Sequence, residues 1–275
     1  ATTGKVGGAS AVKAFFGGGA GATAAVVGAA VVVGGGAVAI QRGGGDPAPS
    51  PAATTRVAAT VADVRDCTIL GPGGAPVTPS TGPARVTLPA QVELPPGATV
   101  HRTGQGLLIG PAGASCEGSI GVNAGANRAG DVRTARVTQS WQGSIGGIAS
   151  QLCHYFPDSP QARRERERTG DCTSRITGRE DLPTGTPAYL AVLAPNDPEP
   201  PERPSSPFVA ATLATLDSQG VASPITCTAP ADNAGICTAA LTYWYLQSLE
   251  GEEIAEADLD RAAEHIARFV SATRR

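Results

Sequence analysis

The chain has 275 residues, of which 41% are hydrophobic, 16% are charged and 4% are aromatic, and its formal net charge is −3. This hydrophobic content is too high for a wholly disordered protein, and the negative charge excludes a strongly basic nucleic-acid-binding protein. The 36 glycines and 23 prolines are about twice the usual share, so the sequence predicts abundant loops and linkers.

Residues 14–40 form an apolar segment that contains no charged side chain. As an α-helix the segment would be about 40 Å long, enough to cross a hydrocarbon core of about 30 Å. Two lysines precede it and one arginine follows it, which gives a weak positive-inside bias. The sequence therefore predicts a cytoplasmic tail (1–13) and a single-pass transmembrane anchor (14–41), with the C-terminal part outside the cell.

The same segment fits a second interpretation, a secretory signal peptide. Most of its residues are glycine or alanine, so its hydrophobicity is modest. The triplet Ala37-Val38-Ala39 has the small-x-small pattern of a cleavage site. A chain cut there would be secreted, so both interpretations place the rest of the protein outside the cytoplasm.

Two features around the apolar segment concern how the protein would be held at the membrane. Small residues recur at Gly17, Gly21, Ala25 and Ala29, a stripe that would allow the transmembrane helices of two copies to pack as a homodimer. Residues 42–56 contain three consecutive glycines followed by prolines at every second position, a composition typical of a solvated spacer. The folded part is therefore expected to stand away from the bilayer.

All six cysteines lie beyond the apolar segment, on the predicted extracytoplasmic side. An even number of cysteines in that compartment indicates disulfides, with buried free thiols as the alternative. No CxxC pair occurs, so the sequence supports neither a zinc knuckle nor a thioredoxin-type redox site. Pairing of nearest neighbours in the sequence predicts three bridges: Cys67–Cys116, Cys153–Cys172 and Cys227–Cys237.

Residues 57–275 have the pattern of an α+β domain. The first part is predicted to be β-rich, because short apolar runs alternate with glycine and proline; these runs are 85–88, 98–100, 107–109 and 132–137. Residues 72–83 are expected to form a loop. If the region contains two domains, we expect the division near residue 142.

The second part of this region is predicted to combine buried strands with helices. The strands are predicted at 188–193 and 208–216, with the proline-rich loop 194–207 between them. Helices are predicted at 145–156, 236–249 and 256–273. The last is clearly amphipathic, with Leu259, Ala263, Ile266 and Val270 on one face and Glu264–Arg268 as a favourable ion pair.

None of the three histidines lies in a metal-binding or nucleophile motif. His101 falls in or beside a predicted strand and is the one histidine that we consider for a catalytic role. His154 follows Cys153 directly, and adjacent helical side chains point about 100° apart, so the two cannot readily form a nucleophile pair. His265 is expected on the surface of the terminal helix.

The remaining polar and aromatic features fit structural roles. Glu93 and Glu117 are the acids nearest to apolar β-runs and are expected to face solvent. Residues 163–168 alternate in charge, as in a solvated helix face or loop. Residues 243–245 form an aromatic ridge that should anchor a core or an interface. No catalytic, cofactor-binding or metal-binding residue is predicted.

Three segments carry a resemblance beyond these patterns: GLLIGPAGASCEGSIGVNAG (106–125), LCHYFPDSP (152–160) and CTAPADNAGICTAAL (227–241). Their cysteine placement resembles that of secreted or membrane-anchored proteins of high-GC Gram-positive bacteria. The resemblance implies an extracytoplasmic compartment and disulfides, and it implies no particular activity.

These observations favour a membrane-anchored, extracytoplasmic binding or structural module of the cell envelope, with an envelope protein or wall polymer as partner. The alternative is an extracytoplasmic hydrolase that acts on wall polymer or peptide through His101 or paired carboxylates. A third hypothesis is that helix 256–273 docks a partner through its apolar face. Nucleic acid is not expected as a ligand, and no cofactor is predicted.

Overall fold

The computed structural model describes residues 59–77, 82–174, 176–186, 189–199 and 203–275. The predicted tail (1–13), membrane segment (14–41), spacer (42–56) and homodimer stripe lie outside the described residues. Among the helices that are described, none has both the length and the apolar character needed to cross a bilayer.

Thirteen strands and four helices follow one another in the described residues. The strands are β1 (Val61–Asp66), β2 (Thr68–Leu70), β3 (Pro76–Val77), β4 (Arg85–Thr87), β5 (Ala98–Thr103), β6 (Gly106–Pro111), β7 (Cys116–Ile120), β8 (Ala124–Asp131), β9 (Ala135–Gln142), β10 (Glu180–Leu182), β11 (Leu190–Pro195), β12 (Phe208–Leu216) and β13 (Ala222–Pro230). The helices are α1 (Ile145–Tyr155), α2 (Pro160–Thr169), α3 (Ala234–Ser248) and α4 (Glu256–Ala272). The fold is thus mixed α+β, β-rich and helical at its C-terminal end, as the sequence predicts.

The strands form two sheets, and the chain passes between them after β1, after β3 and after β6. The large sheet has the order β10-β11-β12-β13-β9-β8-β7-β2-β3 and is antiparallel except where β2 runs parallel to β7. The small sheet has the order β4-β1-β5-β6, with β1 parallel to β5. Because only Cys67 separates β1 from β2, the chain passes from the small sheet to the large sheet at that residue.

Both faces of the large sheet are covered, and β12 shows this most clearly because all nine of its residues are buried. Val209, Ala211 and Leu213 join the main core, which also contains the small sheet, α3 and α4. Ala214 and Leu216 point to the opposite face, where they pack with residues of α1 and α2. The alternation of side chains along a strand therefore divides one apolar run between two separate cores.

The small sheet packs closely on the large sheet because glycine replaces a side chain where β6 crosses β8. A Cβ atom on Gly110 would lie 2.5 Å from the Cβ of Ala129 and 3.4 Å from the ring of His101. In the large sheet itself, a Cβ on Gly125 would overlap the ring of Trp141, its partner in the β8–β9 register. Part of the high glycine content therefore serves close packing between strands, and not only loops as the composition suggests.

Several predicted elements agree with the structure and others need correction. The runs at 85–88, 98–100 and 107–109 lie in β4, β5 and β6, but 132–137 is not one strand, because residues 132–134 form a turn before β9. There the Asp131 side chain accepts hydrogen bonds from the backbone N–H groups of Arg133 and Thr134. The predicted loop 72–83 contains a short 3-10 turn and β3.

Helix α4 corrects the docking hypothesis. Ile266 and Val270 are fully buried and Phe269 is 6% exposed, while Leu259 is partly buried against the same core. The apolar face that the sequence offers to a partner is therefore used inside the protein's own fold. The predicted ion pair is present on the exposed side, with 3.7 Å between Arg268 and Glu264.

We predict that Ile266→Ala lowers the free energy of unfolding by about 2–5 kcal/mol, because it leaves a cavity in the main core. Arg268→Ala on the exposed face of the same helix is the matched control and should cost less than about 0.5 kcal/mol. Urea denaturation followed by circular dichroism measures both variants. Equal stability of the two would show that α4 is not packed into the core.

Candidate functional site

The six cysteines form three disulfides: Cys67–Cys116, Cys153–Cys172 and Cys227–Cys237. This is the nearest-neighbour pairing expected from the sequence, and all six side chains are buried. Cys227–Cys237 ties β13 to α3 in the main core, and Cys153–Cys172 ties α1 to the segment after α2. Cys67–Cys116 ties the crossing point between the two sheets to the start of β7.

The Cys67–Cys116 disulfide has a histidine beside it. His101 lies on β5, where it is in register with Arg65 of β1 and Leu108 of β6. The backbone N–H of Cys67 donates to the carbonyl of Arg102, which holds the crossing point against the same strand. One ring nitrogen of His101 and the two sulfur atoms all lie within 4.8 Å of one another.

His101 is only 2% exposed, and neither of its ring nitrogens has a hydrogen-bond partner in the described structure. Buried polar atoms are nearly always paired, so two such atoms on one ring call for an explanation. Burial lowers the pKa of His101 below its ordinary value, and the positive charge of Arg65 acts in the same direction. The Pro111 backbone, which does not meet the geometry of a full hydrogen bond to the ring, raises the pKa by more than Arg65 lowers it, but by less than burial lowers it. The ring is therefore neutral near pH 7.

A second polar site lies around the Cys153–Cys172 disulfide, where α1 and α2 border an open cleft of about 470 Å³. Ser150, His154, Glu165 and Arg168 line it. Glu165 and Arg168 bind each other through two hydrogen bonds of 2.6 and 2.9 Å. Partial burial and the nearby charge of Arg179 lower the pKa of His154. The cleft thus presents a neutral imidazole beside an ion pair whose charges are already matched.

Two arginines of the charged segment 163–168 donate hydrogen bonds to backbone carbonyls beside helix α2. Arg166 donates to the carbonyls of Pro157 and Cys172 at 3.1 and 3.0 Å, and so it braces the loop on either side of the helix. Arg163 donates to the carbonyl of Asp158 at 2.7 Å. The helix begins at Pro160 after the Ser159 cap and ends at Gly170, which adopts a left-handed conformation.

The structure does not bring the other sequence candidates together. Glu117 is exposed on β7, and Glu93 is exposed in the loop before β5 rather than on a strand. His265 lies on α4 and contacts Glu180 of β10, with 2.5 Å between Nε2 and the carboxylate. Trp244 and Tyr245 are core residues, and the Tyr245 hydroxyl donates to the carbonyl of Pro183.

The strongest feature of the site escapes sequence reasoning. The sequence identifies Cys67, Cys116 and His101 separately, but nothing in it shows that the histidine faces the disulfide. That contact depends on how β5 lies over the crossing point between the sheets. Comparison with known protein families, curated proteins and solved structures finds no match for this chain. The site must therefore be interpreted from its own chemistry.

We predict that His101→Leu leaves stability at neutral pH unchanged or increased, because it removes two buried nitrogens that have no partner. The variant should also show a weaker decrease in the free energy of unfolding as the pH falls below neutral. In the unfolded chain a histidine has an ordinary pKa of about 6.5, whereas the folded ring has a lower pKa. Below about pH 6.5 the unfolded chain therefore takes up a proton at His101 that the folded ring does not, and the free energy of unfolding falls by up to about 1.4 kcal/mol per pH unit.

Urea titrations of the wild type and His101→Leu at several pH values between about 5 and 8 measure this slope. His154→Gln is the comparison variant, because the His154 ring is only partly buried. Its removal should change the slope of the free energy of unfolding against pH less than the removal of His101 does. An unchanged slope in His101→Leu would contradict a neutral, buried His101.

Proposed function

We propose that this protein is an extracytoplasmic binding or structural module of the cell envelope, held at the membrane through residues 14–41. The observation that carries the proposal is that every cysteine of the chain is paired in a buried disulfide within residues 67–237. Disulfides of this kind form and persist in oxidising compartments outside the cytoplasm. The alternative location is the extracellular medium, after cleavage within the apolar segment.

The stabilisation expected from the disulfides supports a durable scaffold. Their sequence separations of 49, 19 and 10 residues correspond to about 4, 3 and 3 kcal/mol by loop-closure entropy. Each bridge also joins different parts of the fold: the β1–β2 junction to β7, α1 to the segment after α2, and β13 to α3. Such cross-links suit a protein exposed to shear and proteases without chaperones.

The polar side chains of the described part also favour a binding or structural role over catalysis. A general base must reach its substrate, but His101 is buried between the sheets. In the open cleft, the carboxylate of Glu165 is already engaged by Arg168, so it is not free to act as a base beside His154. The hydrolase alternative would need a catalytic arrangement other than the one considered from the sequence.

The exposed face of the cleft is where we place the binding activity of this module. Ser150 and His154 offer a hydroxyl and a neutral imidazole, and an apolar patch of Ile148, Ala149 and Leu152 continues along the groove between α1 and α2. Charged side chains of both signs also line these surfaces, namely Arg164 and Asp171 beside the Glu165–Arg168 pair. A shallow surface with mixed hydrogen-bonding groups and apolar borders suits a polar wall polymer or a polar protein surface.

We predict that the natively expressed protein accepts no alkylating reagent before reduction and six equivalents after it, because all six thiols are paired. Intact-mass spectrometry measures both states, and the same mass shows whether residues 1–41 remain. A chain that begins near Ile40 would identify a secreted form. Alkylation of all six cysteines without reduction would contradict an extracytoplasmic location.

Added protease should digest the C-terminal part in intact spheroplasts if that part lies outside the membrane. A cytoplasmic protein of the same cells is the control and should be cut only after lysis. Protection of residues 59–275 until lysis would overturn the proposed orientation.

A further inference from the structure

Three side chains with metal-binding atoms meet at the crossing point between the two sheets. Cys67, His101 and Cys116 come from three separate segments, and their sulfur and nitrogen atoms lie within 4.8 Å of one another. In a tetrahedral zinc site, bond lengths of about 2.3 Å to sulfur and 2.0–2.1 Å to nitrogen place the ligand atoms about 3.5–3.8 Å apart. Small side-chain rotations from the present arrangement would reach that spacing once the sulfur–sulfur bond is open.

The histidine is already in the state that a metal requires. Both of its ring nitrogens are buried, neither is hydrogen-bonded in the described structure, and one of them lies within 4.8 Å of the two sulfurs. A neutral imidazole has one lone pair that it can give to a metal. Elsewhere in the core, buried polar side chains satisfy at least part of their capacity; Asn127, for example, donates to Gln139 at 3.2 Å. A buried imidazole that has no hydrogen-bond partner in the oxidised protein would gain a ligand interaction if it bound a metal ion in the reduced protein.

We propose that Cys67, His101 and Cys116 form a redox-controlled zinc site, closed as a disulfide in the oxidised chain and able to bind one Zn²⁺ after reduction. Two thiolates and one neutral imidazole match the ligand preferences of zinc and not those of Mg²⁺ or Ca²⁺. Two thiolate charges also neutralise Zn²⁺, so the complex adds no net charge to a buried position.

The chemistry requires an external reductant, for which we name a dithiol. One thiolate of the dithiol attacks a sulfur of the disulfide, and its second thiolate then closes the dithiol into its own disulfide. Two electrons and two protons pass to Cys67 and Cys116 in this exchange. Zinc binding then displaces the two thiol protons to solvent, and His101 contributes a lone pair without a proton change.

Cys116 provides the access that this exchange needs. Its side chain is 7% exposed, and it directly follows a turn between β6 and β7 in which Ala112, Gly113 and Ser115 are exposed. We therefore expect reductant and ion to enter beside that turn, at the more exposed of the two cysteines. Zinc then joins the same two segments as the disulfide, so the link between the sheets is kept in both redox states.

The test compares zinc binding by the full chain before and after reduction with a phosphine under anaerobic conditions. Competition with a chromophoric chelator gives the affinity, and Co²⁺ as a substitute gives thiolate charge-transfer and tetrahedral absorption bands. Far-UV circular dichroism is recorded on each sample. The oxidised wild type should bind no zinc at this site, and the reduced wild type should bind one equivalent and keep its folded spectrum.

Two variants separate this site from the other four thiols. His101→Leu keeps all six cysteines and should bind zinc at least about 100-fold more weakly after reduction, because one ligand is lost. Cys67→Ser/Cys116→Ser keeps the other four cysteines and should bind one zinc equivalent fewer after reduction. If the double variant does not fold, the zinc affinities of the reduced wild type and of reduced His101→Leu test the proposal by themselves.

Equal affinity in reduced wild type and His101→Leu would overturn the proposal, because thiols alone would then account for binding. Unfolding of the wild type on reduction and zinc addition would also overturn it, since the site depends on the folded arrangement of β5. Neither result bears on whether the protein lies outside the cytoplasm, so this test is independent of the proposed function.

Discussion

The crossing of the chain from one sheet to the other at Cys67 is the constraint on which the rest of the structure depends. At this residue β1 of the small sheet ends and β2 of the large sheet begins, and the disulfide to Cys116 fixes the position covalently. The small sheet must then lie on the large sheet with β6 over β8. Because Gly110 has no side chain, the backbone of β6 can lie close to Ala129 there. His101 is buried as a consequence, because its strand lies between β1 and β6.

The remaining elements complete two cores around this junction. On the side of the small sheet, α3 and α4 cover the apolar face of β12, β13 and β9, and the bridge from Cys227 to Cys237 fastens α3 to the sheet. On the other side, α1 and α2 are shorter and enclose the Cys153–Cys172 bridge. The two faces therefore differ in character: one is a continuous interior, and the other carries the open cleft that we propose for binding.

Local signals in the sequence account for much of this architecture. The 3.6-residue period of Leu259, Ile266 and Val270 predicts α4 almost to the residue, and the apolar run of β12 predicts a buried strand.

Other elements depend on contacts that are distant in the chain. Strand β13 contains Pro224 and several polar residues, and β8 is rich in glycine, so neither has strand-like composition. Helix α2 does carry recognisable signals, a serine–proline start and a glycine end, but its charge alternation suggests only a solvated segment. The approach of His101 to the disulfide is a product of sheet packing, which no local pattern encodes.

The crossing point also determines how the protein would respond to mechanical force. A pull on the chain from the N-terminal side of the described region reaches β1 first, and it would peel that strand from β4 and β5 one hydrogen bond at a time. The load then meets Cys67, where the covalent bridge transfers it to β7 in the interior of the nine-stranded sheet. The tension would then bypass the chain between the two cysteines, so the residues inside this loop, 68–115, would be shielded from it. These residues include β2 to β6, and therefore most of the small sheet.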